Sequence, residues 1–151
     1  MAATAPAGVP TQLGHIALRV KDVDRAVAFY RDVLGLKVKN QGRGVAFLGI
    51  RADASHELAL FPLTADASEP DPKRVGMYHM AWEMASFAEL EALHQRLLAS
   101  GARITGYADG QCNVMFLDPD GNELEAIWEP SEEVRARSRE PGGTPLPRLP
   151  R

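Results

Sequence analysis

Cysteine, positive charge and long apolar runs are what this chain has least of. Cys112 is the only cysteine, so no disulfide can form within the chain and a cysteine-rich zinc site is excluded. A reducing, cytoplasmic location is the expectation that follows. Lysine and arginine total 17 against 20 aspartates and glutamates, a net charge of −3. The basic excess of a nucleic-acid footprint is therefore missing, and no nucleic-acid partner is expected. No apolar run approaches the roughly 20 residues that span a bilayer. The opening MAATAPAGVP lacks a basic start followed by an apolar stretch, so no secretion signal and no membrane partner are expected.

What is present is an ordinary globular composition, 45% hydrophobic and 25% charged over 151 residues. That suffices for one domain, or two small modules sharing a core. Residues 1–11 are Ala/Pro-rich and read as a flexible lead. Residues 131–151 are rich in proline and arginine with little to bury, and read as a loosely ordered tail.

Residues 13–20 (LGHIALRV) are apolar and β-prone, a strand. Asp22 is placed to cap a helix over 24–34, and Gly35 to end it. Residues 36–39, 45–50 and 57–61 read as three short strands. A Pro-rich link follows, with module boundaries at 12–62, a linker at 63–75 and a second module at 76–130. The second module repeats the order. It has a strand at 76–84, a helix opened by the capping box Ser86/Glu89 and closed by Gly101, and strands at 104–107, 114–117 and 123–128. Asp118-Pro119-Asp120-Gly121 reads as the turn joining the last two. The expected fold is α+β, two βαβββ modules with curved mixed sheets around a metal-binding cleft.

The halves match residue for residue in places. Val45-Ala46-Phe47-Leu48 answers Val114-Met115-Phe116-Leu117. Glu57 stands five before Pro62, as Glu125 stands five before Pro130. His15 and His79 hold the same place in the first strands. A self-match of this kind implies two copies of one unit. Strand alternation puts His15 on a face with Ala17, His79 with Ala81, and Glu125 with Ile127. A carboxylate and two imidazoles among apolar neighbours need partners, because an unpaired buried carboxylate costs several kcal/mol. One divalent cation held by His15, His79 and Glu125 satisfies all three. A site of two His and one carboxylate suits Fe(II) and related metals. A lone strand histidine is more often satisfied by a hydrogen bond, and it is the recurrence in both halves that favours the metal.

The stretches HIALRV, DRAVAFYRDVLGL, VAFLGI and HELALF in one half resemble the vicinal oxygen chelate superfamily. So do YHMAWEM, LEALHQRLLASGARI and VMFLDPDGNELEAIWEP in the other. That superfamily holds glyoxalase I, type I extradiol dioxygenases, methylmalonyl-CoA epimerase and drug-resistance proteins. The resemblance covers about residues 12–130 and implies a homodimer acting on a small molecule. Likeness to the extradiol dioxygenases implies the ligand set His15, His79, Glu125, with Fe(II) bound. His56 would be the catalytic acid and base, and dioxygen and a catechol-like diol the reactants. Those enzymes carry a further histidine and tyrosine. The matching positions here fall near Gly106 and on Met115, with Tyr107 out of register. The departure sets this chain apart from standard catechol cleavage and leaves room for a different oxygenation, for example of a polyphenolic or quinone-like compound. Likeness to glyoxalase I and the epimerase implies Glu57 as a fourth ligand, with Mn, Ni, Zn or Co, and proton transfer beside a carbonyl. His56 and Glu57 are adjacent, so a regular strand turns only one of them to the metal. A third implied class binds a drug without metal or turnover.

Trp82, Asn113, Met115 and Trp128 are candidate substrate contacts, the aromatics among them serving equally as packing. Gln111 joins Asn113 as a candidate contact or a turn residue. Arg19 and Arg43 suit an anionic group or plain surface. His94 reads as solvated on the second helix, and Cys112 as buried.

Overall fold

The computed structural model describes residues 8–107 and 112–150, which places Gln111 outside the described residues. The first module runs β1 (Ile16–Val20), α1 (Val23–Ala28), β2 (Lys37–Gly42), β3 (Val45–Gly49) and β4 (Leu58–Pro62). The second runs β5 (His79–Glu83), α2 (Phe87–Ser100), β6 (Ile104–Gly106), β7 (Cys112–Leu117) and β8 (Glu123–Trp128). The strand orders are β1-β4-β3-β2 and β5-β8-β7-β6, so each module is a four-stranded mixed sheet of the expected βαβββ form.

The helices start where short polar side chains can satisfy free backbone N–H groups. Asp22 accepts from Arg25 N at 3.0 Å, and Ser86 from Glu89 N at 3.2 Å. Gly101 closes α2 at φ 70°, a conformation that penalises any side chain. The first helix covers the expected span, but its second half, Phe29–Val33, winds as a π-helix. Leu34 N there reaches back five residues to Phe29 O.

Alternation then sorts the faces. In β1, Leu18 and Val20 are buried while Ala17 and Arg19 are exposed. The inward residues of both sheets join one apolar cluster with Tyr30, Leu90, Leu93 and Leu97 from the helices. Burying an aliphatic side chain contributes about 1.5–3 kcal/mol, which is why these residues fix which face of each sheet turns inward. The opposite face of each sheet is left open, and that is where the chemistry-bearing side chains lie.

The turn Asp118-Pro119-Asp120-Gly121 does more than reverse the chain. Asp118 accepts from Tyr30 Oη at 2.8 Å and from its own turn at Asp120 N and Asn122 N. Asp120 accepts from Lys21 N at 3.1 Å and Arg25 Nη2 at 2.9 Å. The second module's turn is thus fastened to the first module's helix. Burial, followed by the carboxylates of Asp118 and Asp120, pushes the Tyr30 hydroxyl well above its ordinary pKa, so it remains a donor.

The tail carries more structure than its composition suggests. Ser131 caps α3 (Glu132–Arg139), Leu149 joins the core cluster, and Cys112 Sγ donates to Pro147 O at 3.2 Å. His94 differs from its sequence reading. It is 2% exposed, with Nε2 2.8 Å from Tyr107 Oη, and burial lowers its pKa. The leucine stripe of α2 is broad enough to carry His94 into the core with it.

Candidate metal centre

On the open face of the second sheet, β5 and β8 run parallel with Ala81 paired to Glu125 and His79 to Glu123. This register leaves His79 Nε2 3.2 Å from Glu125 Oε2. Two donor atoms each about 2.0–2.2 Å from one ion, at right angles, lie about 3 Å apart. The pair therefore fits a shared cation. His79 Nδ1 is buried with no hydrogen-bond partner among the described residues, so Nε2 is the nitrogen this ring can offer. The other carboxylate oxygen of Glu125 accepts from Asn113 Nδ2, on the neighbouring β7. Asn113 is 3% exposed. A groove of ≈ 420 Å³ opens over this cluster, lined also by Met115, Tyr78 and Glu123. A larger cavity of ≈ 520 Å³, walled by the inter-module linker, shares Tyr78 and Glu123 with it.

The first sheet holds a different cluster. The His15 ring lies 4.6 Å from the His56 ring, and Phe47 lies 4.9 Å from His56 on its other flank. Ser55 Oγ is 3.0 Å from His56 Nδ1. Glu57 is turned away from this pair. Its carboxylate accepts from Arg51 Nε at 2.7 Å and Ile50 N at 3.0 Å. It fills the space that Gly49 leaves by having no side chain; a Cβ there would collide with the Glu57 carboxylate. Burial raises the Glu57 pKa, but hydrogen bonds from Arg51 and from backbone N–H groups outweigh it, and the carboxyl is held below its ordinary value.

Within one chain, then, the structure brings His79 together with Glu125, and His15 together with His56. It places Glu57 with neither. Among the described residues, no three His, Cys, Asp or Glu side chains gather closely enough to hold a metal ion. Of the candidate substrate contacts, Asn113 and Met115 line the groove. Trp82 and Trp128 lie with the core residues Met80 and Ala126 on the opposite faces of their strands, and pack against the apolar cluster. The tie from Asn113 to Glu125 escaped the sequence reading. Its signal is Asn113's place two residues before Met115, on the same face of the adjacent strand.

The chain matches the family model described as Glyoxalase/Bleomycin resistance protein/Dioxygenase superfamily over residues 12–126. It is 30% identical over 127 residues to a 1,2-dihydroxynaphthalene dioxygenase of Pseudomonas sp. (strain C18), covering 79% of this chain and 39% of that protein. It is 29% identical over 133 residues to a catechol-2,3-dioxygenase of Bacillus subtilis (strain 168), covering 86% of this chain and 46% of that one. The chain thus spans less than half the length of these curated relatives. Among solved structures, a lactoylglutathione lyase from Agrobacterium tumefaciens matches with a TM-score of 0.60 at 26% identity, covering 79% of this chain and 94% of that one.

Proposed function

This chain belongs to the glyoxalase/bleomycin resistance protein/dioxygenase superfamily, and from that premise we propose that it is a metal-dependent dioxygenase acting on a catechol-like or polyphenolic diol. The observation that carries this reading is the pairing of His79 with Glu125 at ligand spacing while Glu57 is engaged elsewhere. A four-ligand isomerase site needs a second carboxylate from the first module, and Glu57 is committed to Arg51 and the backbone of Ile50. The names of the dioxygenase relatives point the same way.

The ligand set is His15, His79 and Glu125, with Fe(II) the metal. When bound, such an ion supplies Lewis acidity to a vicinal diol and brings the diol and dioxygen together. The chain's own residues do the rest. Asn113 orients Glu125. Nε2 of His56, beside His15, takes a proton from the diol and returns it to product. Met115 and Tyr78 line the groove. In the net reaction both atoms of dioxygen enter the product and the ring bond beside the diol breaks.

Because the two half-sites do not meet within one chain, we propose that they meet across a homodimer, the first module of one protomer facing the second module of its partner. A closed homodimer has two such sites related by its symmetry axis.

The test is oxygen uptake by the Fe(II)-loaded protein over a panel of one-ring and two-ring diols. Uptake that requires both the metal and a vicinal diol is expected. Turnover of a hemithioacetal or an acyl-CoA without oxygen uptake would replace this reading with the isomerase.

A further inference from the structure

Where the inter-module linker crosses the end of the second sheet, it walls a cavity of ≈ 520 Å³ that the proposed reaction leaves unused. The wall is held in place. Asp71 accepts from Lys73 N at 2.9 Å. Pro70 lies against the turn at Gly121, where a Cβ would come within 3.5 Å of the proline ring. The cavity meets the metal groove at Tyr78 and Glu123, which line both. Its volume falls within the range of pockets that take small organic molecules.

The apolar part of the lining is Met77, Tyr78 and Leu117. Met77 is 53% exposed and Tyr78 75%, so apolar surface stands bare beside the groove. A flat ring laid there would cover it with a gain in free energy. Most charges of the lining are engaged. Arg74 Nε lies 3.2 Å from Asp71 Oδ2, Lys21 Nζ lies 3.9 Å from Glu69 Oε1, and Glu123 accepts from Thr105 Oγ1 at 2.6 Å. Ala17 pairs with Ala59 and Ala81 with Glu125, which makes Glu123 the second module's counterpart of Glu57, a carboxylate likewise claimed by its own sheet. Arg103 is different. Its guanidinium lines the cavity with no ion pair or hydrogen bond among the described residues.

The sheet sets the distance from this cation to the metal pair. Leu117 N donates to Arg103 O at 2.9 Å, and Leu117 pairs with Glu123, so the three form one row across the strands. Met115 and Glu125 stand two residues along. Strand spacing and rise per residue then put the Arg103 backbone about 12 Å from that of Glu125. With both side chains reaching inward, the space between suits two fused or linked rings.

We propose that this cavity holds the far ring of the substrate and that Arg103 pairs with an anionic group on it. The substrate class is then a two-ring vicinal diol with a carboxylate on the ring remote from the diol. The inference rests on the proposed binding of a diol at His79 and Glu125.

The experiment measures ligand affinity by calorimetry on the full-length, Fe(II)-loaded protein without oxygen. The probes are a dihydroxynaphthalene, the same diol with a carboxylate on its other ring, and naphthoate, which has no diol. The carboxylate is expected to tighten diol binding about fivefold, the upper range for a partly exposed ion pair. Arg103→Gln is expected to abolish that advantage and leave the affinity for the neutral diol unchanged, while Arg103→Lys retains part of it. Equal affinity of wild type for the two diols overturns the proposal, and so does an advantage that survives Arg103→Gln. Naphthoate separates the cavity from the metal site. If neither diol binds, the diol reading fails, yet naphthoate binding that depends on Arg103 upholds the anion site and its absence overturns it.

Discussion

At the scale of single residues, the site depends on which oxygen of one carboxylate is free. Asn113 donates to one oxygen of Glu125, and the other faces His79 Nε2. Outer contacts of this kind orient metal ligands and raise their affinity. Replacing Asn113 with Leu keeps a γ-branched side chain but removes the donor. Metal affinity is expected to fall about 10- to 100-fold, while circular dichroism stays that of the wild type. Unchanged affinity in a folded Asn113→Leu protein would make Asn113 a substrate contact, as its sequence position first suggested. Glu57 shows the converse case. It is a carboxylate in a conspicuous motif, yet Arg51 and Ile50 N claim it.

At the scale of elements, both modules were legible because apolar periodicity and capping residues agree at every helix and nearly every strand. The superposition of the two modules was not. Counting back from Pro62 and Pro130 equated Glu57 with Glu125, two residues away from the register that forms. A slip of two residues keeps every side chain on its own face, so hydrophobic pattern cannot detect it, whereas a slip of one would bury the wrong set. The match of Val45-Ala46-Phe47-Leu48 to Val114-Met115-Phe116-Leu117 was such a one-residue slip. It equated half-buried Phe47 with fully buried Phe116, and the ladder corrects it. The sequence also disclosed the Asp118-Pro119-Asp120-Gly121 turn but not its partner. The Tyr30 hydroxyl donates to Asp118 in a buried setting 88 positions away in the chain. A hydrogen bond to a charged group is worth about 1.5–3 kcal/mol. Tyr30→Phe is expected to lose about that much in urea unfolding with an unchanged slope; a loss within error of zero would show that the turn is held by Lys21 and Arg25 alone.

At the scale of the whole molecule, the chain supplies two half-sites on the open faces of two sheets that share one core. One holds His15 and His56, the other His79, Glu125 and Asn113. Sequence symmetry links His15 to His79, which recur at equivalent places, and that recurrence motivates the proposed shared site. It carried no information on whether one chain or two would unite them, because that depends on how modules pack. β1, which follows His15, and β5, which begins at His79, are both edge strands with one ladder partner apiece. No helix among the described residues is long and apolar enough to cross a membrane.

The most direct measurement is metal bound per chain, at saturating Fe(II) without oxygen, in His15→Ala, in His79→Ala, and in the two refolded together. Each variant alone is expected to bind almost none. The mixture regains about a quarter of wild-type occupancy, because half the dimers are mixed and each mixed dimer rebuilds one of its two sites. Full occupancy in either single variant, or a mixture as empty as its components, would contradict a cation shared between the first module of one copy and the second module of another.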